Sequence, residues 1–83
     1  MTSAAAVSAA LRRIGYSPVG SETYKREGVR VKNSAPGRVR VTADFDSDTR
    51  AYRTAAQIAE DLRAHGFTVV ESQLSPNAMW VSR

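Results

Sequence analysis

Residues 28–45, GVRVKNSAPGRVRVTADF, read as a β-hairpin in which valine alternates with arginine or lysine on both sides of a turn. Side chains of a strand point alternately to opposite faces, so a slip of one residue would turn every valine to water. With residues 33–37 as the loop and Pro36-Gly37 supplying the turn chemistry, Lys32 faces Arg38 and Arg30 faces Arg40. Val29, Val31, Val39, Val41, Ala43 and Phe45 then share the other face, which must be the buried one.

Upstream of the hairpin, Thr2 or Ser3 can cap a helix whose apolar stripe is Val7, Leu11 and Ile14, and Gly15 stands where a left-handed C-cap belongs. Residues 16–19 read as extended, with Pro18 making them an edge or irregular strand. Residues 20–27 are a turn or the frayed start of the next strand. Downstream, Asp46, Ser47 and Asp48 lead into a second helix with the inner stripe Tyr52, Ala55, Ile58, Ala59 and Leu62. Thr54 and Gln57 also match a capping box, which would start that helix near Ala55. His65 and Gly66 close it, and residues 67–72 and 78–82 form two strands around a turn at Ser75, Pro76 and Asn77. The expected architecture is therefore α+β in two layers, order α-β-β-β-α-β-β, with two helices on one face of a mainly antiparallel sheet.

The two helix ends also match each other. Leu11-Arg12-x-x-Gly15-Tyr16-Ser17-x-Val19 lies over Leu62-Arg63-x-x-Gly66-Phe67-Thr68-x-Val70, which suggests an αββ pseudo-repeat. Any helix that ends in glycine and feeds a strand converges on a similar phrase, so both origins stay open. At 83 residues the chain has room for one core, and residues 1–83 are expected to form a single domain. Val70 and Trp80 are counted in that core with Val69, Met79 and Val81; Trp80 and Tyr24 are also possible anchors on an exposed surface, but for Trp80 the bulk of the indole favours burial. No cysteine is present, which excludes a disulfide scaffold and Cys-type zinc sites and suits a reducing cytoplasm. The alanine-rich run at residues 4–10 has no basic residue before it and reads as helix, not as a signal peptide. No apolar run approaches bilayer length, so no membrane partner is expected.

Catalysis finds little support in the residues. His65 is the only histidine and sits in a helix's last turn, where it complements the dipole. No serine lies in a glycine elbow, and no glycine-rich phosphate loop is present. Asp44, Asp46 and Asp48 begin like a calcium loop, but the sixth position is Thr49 and the twelfth is Ala55, so helix capping explains them better. The chain is accordingly expected to be non-enzymatic, with no cofactor and no metal.

The basic hairpin face carries the functional signal. The net charge of +4 comes almost wholly from arginine, with Lys25 and Lys32 the only lysines. Like charges across a ladder cost stability, so Arg30, Lys32, Arg38 and Arg40 gathered together suggest either cheap screening by water or an anion lying over them. Arg26, Lys25 and Tyr24 could extend the patch, while Asp44 and Glu27 weaken it at one end. The plain alternative is a solvated face whose charges discourage aggregation. A nucleic acid is the expected partner, and four phosphate contacts on duplex DNA would give a log-log salt slope of up to about −3.6. The rival is a protein-interaction module: an acidic host protein, or a homodimer through a sheet edge at residues 16–19 or 78–82.

Two resemblances add expectations. Residues 11–42 resemble the small HicA-type toxins, whose double-stranded-RNA-binding-like fold runs helix, Gly-aromatic strand, hairpin and helix. That family places a histidine after a Gly-Ser pair; here Gly20-Ser21 is followed by Glu22 and Thr23, so ribonuclease activity does not carry over. Such domains also present lysines at the start of the second helix, where Asp46 and Asp48 would repel phosphate. The abundant alanine, the dominance of arginine over lysine and the run Ala-Ala-x-Ile-Ala-x-x-Leu-Arg-x-x-Gly-Phe at residues 55–67 are similar to small orphan accessory proteins of GC-rich actinobacteria and their phages. That similarity implies a mobile-element accessory role, often exercised by binding a host component.

Overall fold

The computed structural model describes residues 2–19 and 27–83. The chain runs α1 (Ala4–Ile14), β1 (Gly28–Ala35), β2 (Arg38–Asp44), α2 (Asp48–Ala64), β3 (Thr68–Glu71) and β4 (Ala78–Ser82). The four strands form one antiparallel sheet in the order β1-β2-β4-β3, with both helices packed against it. Two αββ units thus join through their second strands. The residues expected to form a further strand at 16–19 make a single parallel bridge, Val19 to Arg30, with the Val19 N–H donating to the Val29 carbonyl at 2.9 Å. Pro18 has no N–H to extend that ladder.

Local chemistry sets the helix limits. Ser3, not Thr2, caps α1, its Oγ accepting from the Ala6 N–H at 3.2 Å. Ser47 caps α2 by accepting from the Arg50 N–H at 3.3 Å, and Asp48 complements the dipole one residue on. The helix therefore begins there and not at Ala55. Its buried stripe is Ala51, Ala55, Ile58, Ala59 and Leu62, whereas Tyr52 is 44% exposed. Ala51 lies one turn before Ala55 and takes the inward place; its neighbour Tyr52 is rotated about 100° away.

The matched helix ends share one device. The Tyr16 N–H donates to the Leu11 carbonyl at 2.9 Å and the Phe67 N–H to the Leu62 carbonyl at 3.0 Å. Each bond spans a glycine with positive φ, +124° at Gly15 and +89° at Gly66. This six-residue closure satisfies a carbonyl that the helix leaves open, and it drives a buried leucine and the following aromatic ring against the core.

The hairpin's inner face is as expected: Val29, Val39, Val41 and Ala43 are buried, and Val31 and Phe45 pack partly buried beside them. Its register is corrected. The strands run on to Ala35 and Arg38 around Pro36-Gly37, with an irregularity between Asn33 and Ala35, so Lys32 pairs with Arg40 and Arg30 with Thr42. That shift is by two residues, which preserves the face of every side chain.

β4 lies between β2 and β3, so residues 78–82 are an interior strand and not an edge; the edges are β1 and β3. Met79, Val81 and Val69 complete the core with Phe67. Trp80 and Val70 alternate outward and do not join it: Trp80 is half-buried on the outer face, and Val70 is 57% exposed. Among the described residues, no helix is long and apolar enough to cross a membrane.

Candidate functional site

The outer face of the sheet carries one row that crosses all four strands. Lys32 on β1 stands opposite Arg40 on β2, Arg40 opposite Trp80 on β4, and Trp80 opposite Val70 on β3. Half of the row is cationic and half is apolar. Arg38, two residues before Arg40 and on the same face, holds its guanidinium carbon 4.5 Å from the Trp80 ring centroid, and that of Arg40 is 5.5 Å away. A groove of 190 Å³ runs beside them, lined by Lys32, Asn33, Ser34, Arg40 and Trp80.

These contacts explain how three cations share a small surface. A like-charged cross-strand pair such as Lys32 and Arg40 costs a few tenths of a kcal/mol to about 1 kcal/mol. Each guanidinium over the indole returns about 0.5–1 kcal/mol at an exposed site. The indole therefore seats two arginines that would otherwise spread apart. Among the described residues, no carboxylate forms a salt bridge with Lys32, Arg38 or Arg40.

Arg30 has a different role. In the corrected register Asp44 is its diagonal neighbour, and Arg30 Nε donates to Asp44 Oδ2 at 2.8 Å. Its side chain is only 15% exposed. Under the expected pairing with Arg40, Asp44 would have been two positions further along the strand and out of reach. Arg30 thus braces the hairpin instead of standing with the other three cations. Tyr24, Lys25 and Arg26, expected to extend the patch, lie outside the described residues.

An acidic corner bounds the face. The Asp46 N–H donates to Glu27 Oε1 at 3.0 Å, and Arg50 Nη1 lies 3.6 Å from Glu27 Oε2. A hydrogen bond with the Glu27 side chain, followed by the charges of Glu27 and Asp44, raises the Asp46 carboxyl above the usual carboxylate range. Asp44, Asp46 and Asp48 are thus divided among an ion pair, a loop brace and a helix start. His65 Nδ1 lies 2.9 Å from the Asp61 carbonyl oxygen, at the end of α2.

Both sheet edges carry a partner from within the chain. Arg63 Nη2 donates to the Val69 carbonyl of β3 at 2.9 Å. On β1, Val19 occupies the Val29 carbonyl and the Ala4 N–H donates to Asn33 Oδ1 at 2.9 Å. Strand addition at either edge would have to work around these groups.

Trp80 and Val70 are the members of this surface that core reasoning misplaced. Alternation alone could have found them, since Met79 and Val81 cannot face inward together with Trp80, nor Val69 with Val70. Comparison with protein-family models, curated proteins and solved structures finds no match to this chain.

Proposed function

We propose that this chain is a non-enzymatic binding module that presents the outer face of its sheet to an anionic partner, nucleic acid before others. The observation that carries this is the grouping of Lys32, Arg38 and Arg40 around Trp80 on an open surface, with no carboxylate salt-bridged to them among the described residues. Arginine's planar fork suits phosphate oxygens and also stacks on aromatic rings, so the same residues serve both the indole and a phosphodiester. The setting that fits a cysteine-free chain of this composition is a reducing cytoplasm, and the role is that of an accessory protein of a phage or mobile element of GC-rich actinobacteria.

A second reading, docking on a carboxylate-rich host protein, draws support from exposed apolar residues, Val70 at 57% on the same face and Leu74 at 96% in the connection between β3 and β4. Homodimerisation through a sheet edge draws less, because Arg63 and Val19 already occupy edge carbonyls. Pull-down from a lysate with the purified chain, with and without nuclease, separates the two. The proposal expects nucleic acid to co-purify with the wild type, to be lost on nuclease treatment, and to be missing from Lys32→Glu/Arg40→Glu. A nuclease-resistant protein partner, retained without nucleic acid, would replace it with the docking reading.

A further inference from the structure

Resting on that reading, we infer that the ligand is a single-stranded nucleic acid, with phosphates over β1 and β2 and bases over β4 and β3, one base stacking at Trp80. The row Lys32, Arg40, Trp80, Val70 is divided in the same sense as a nucleotide. Its cationic half matches a phosphate, and its half-buried indole and exposed Val70 match the flat apolar face of a base. Strands about 4.8 Å apart place the two halves side by side within about 15 Å, a span that neighbouring groups of one strand cover.

Duplexes do not use this division. A double helix presents phosphates outward and keeps base faces inside its stack, so it would engage the cations and leave Trp80 and Val70 against water. An acidic peptide would likewise satisfy the cations and offer nothing planar to the indole. In a single strand every base has a π-face, and stacking on an aromatic side chain beside a cationic groove is sequence-tolerant.

The guanidiniums over Trp80 do not block such a site. A base can take the place of Arg38 on the ring, exchanging an exposed cation–π contact for a more favourable base stack, or it can lie on the planar guanidinium itself. Either way Arg38 and Arg40 stay beside the phosphates. The groove next to Trp80 adds the hydroxyl of Ser34 as a hydrogen-bonding group.

Trp80 is the only tryptophan, so its emission reports directly on the stack. The full chain is titrated with an oligothymidylate of about 12 nucleotides, within the site size of small sheet-based binders. An abasic strand, a duplex and oligoglutamate, each matched in length, serve as the comparison ligands. Affinity is read from labelled ligands and stacking from Trp80 emission. The oligothymidylate should bind about tenfold tighter than the abasic strand and quench Trp80. Trp80→Ala should remove that advantage while keeping abasic-strand binding, and Trp80→Phe should retain most of it. The wild-type comparison of ligands does not depend on either variant folding. Equal affinity for the abasic strand, or tighter binding of the duplex, with unquenched emission overturns the stacking inference and leaves the proposal of an anionic partner standing. Binding of oligoglutamate alone, or of none of the four, overturns both.

Discussion

Met79 and Trp80 are neighbours in β4, yet one is fully buried in the core and the other lies on the outer face beneath two arginines. The same contrast runs across the whole sheet. On the inner face, Val29, Val39, Val41, Ala43, Met79 and Val81 meet the stripes of α1 and α2, and close packing leaves little freedom in what may stand there. On the outer face, Lys32 and Arg40 stand opposite each other at some cost in stability. Folding explains the first face fully. It leaves the second open: Trp80 offsets the cost of the gathered cations without requiring them there, and a face that packing does not dictate is where function is best sought.

The contrast breaks most readily at Met79. Met79→Ala removes a fully buried side chain and should destabilise the fold by about 2–5 kcal/mol in denaturant titration. Ligand affinity of the fraction that remains folded should not change. Loss of affinity without loss of stability would mean that the two faces are not separable.

Alkaline titration sharpens the contrast at a smaller scale. Burial first, and then the hydrogen bond to Asp61, raise the Tyr16 hydroxyl from its ordinary 10.0 to about 12. The folded state therefore holds the proton more tightly than the unfolded chain. The stability it contributes is fully present below pH 10 and is lost as pH rises through 12. Allowing for solvent screening, the loss is on the order of 1 kcal/mol. Tyr16→Phe should flatten this part of the pH–stability curve. A curve unchanged by the substitution would assign the alkaline loss elsewhere.

The smallest effect has the opposite sign. Lys32→Glu converts a like-charged cross-strand pair into an attractive one and should stabilise the fold by about 0.2–1 kcal/mol. It should also weaken anion binding. Lower thermal stability in this variant would show that Lys32 is held by contacts other than its pairing with Arg40.

Much of the inner layer was legible in the sequence because its causes are local. Alternation placed the valines, Ser47 and Asp48 marked the start of α2, and Gly15 and Gly66 marked the helix ends. Tyr52 stands outside the stripe because Ala51 takes the inward place, and a small alanine lets the helix lie close to the sheet. The outer face was legible only in part. Alternation placed Lys32, Arg38 and Arg40 on that face, but the ion pair of Arg30 with Asp44 follows from a two-residue change of register. Trp80 joined the cations because β4 inserts next to β2, a pairing some 40 residues distant that no local pattern encodes.

The central claim is that Lys32, Arg38 and Arg40 hold the phosphates of a nucleic acid, and the salt dependence of oligothymidylate binding tests it most directly. Three contacts on a single strand predict a log-log slope of about −2.1, falling to about −0.7 in Lys32→Gln/Arg40→Gln. A slope near zero, or one that the double substitution leaves unchanged, would contradict the account.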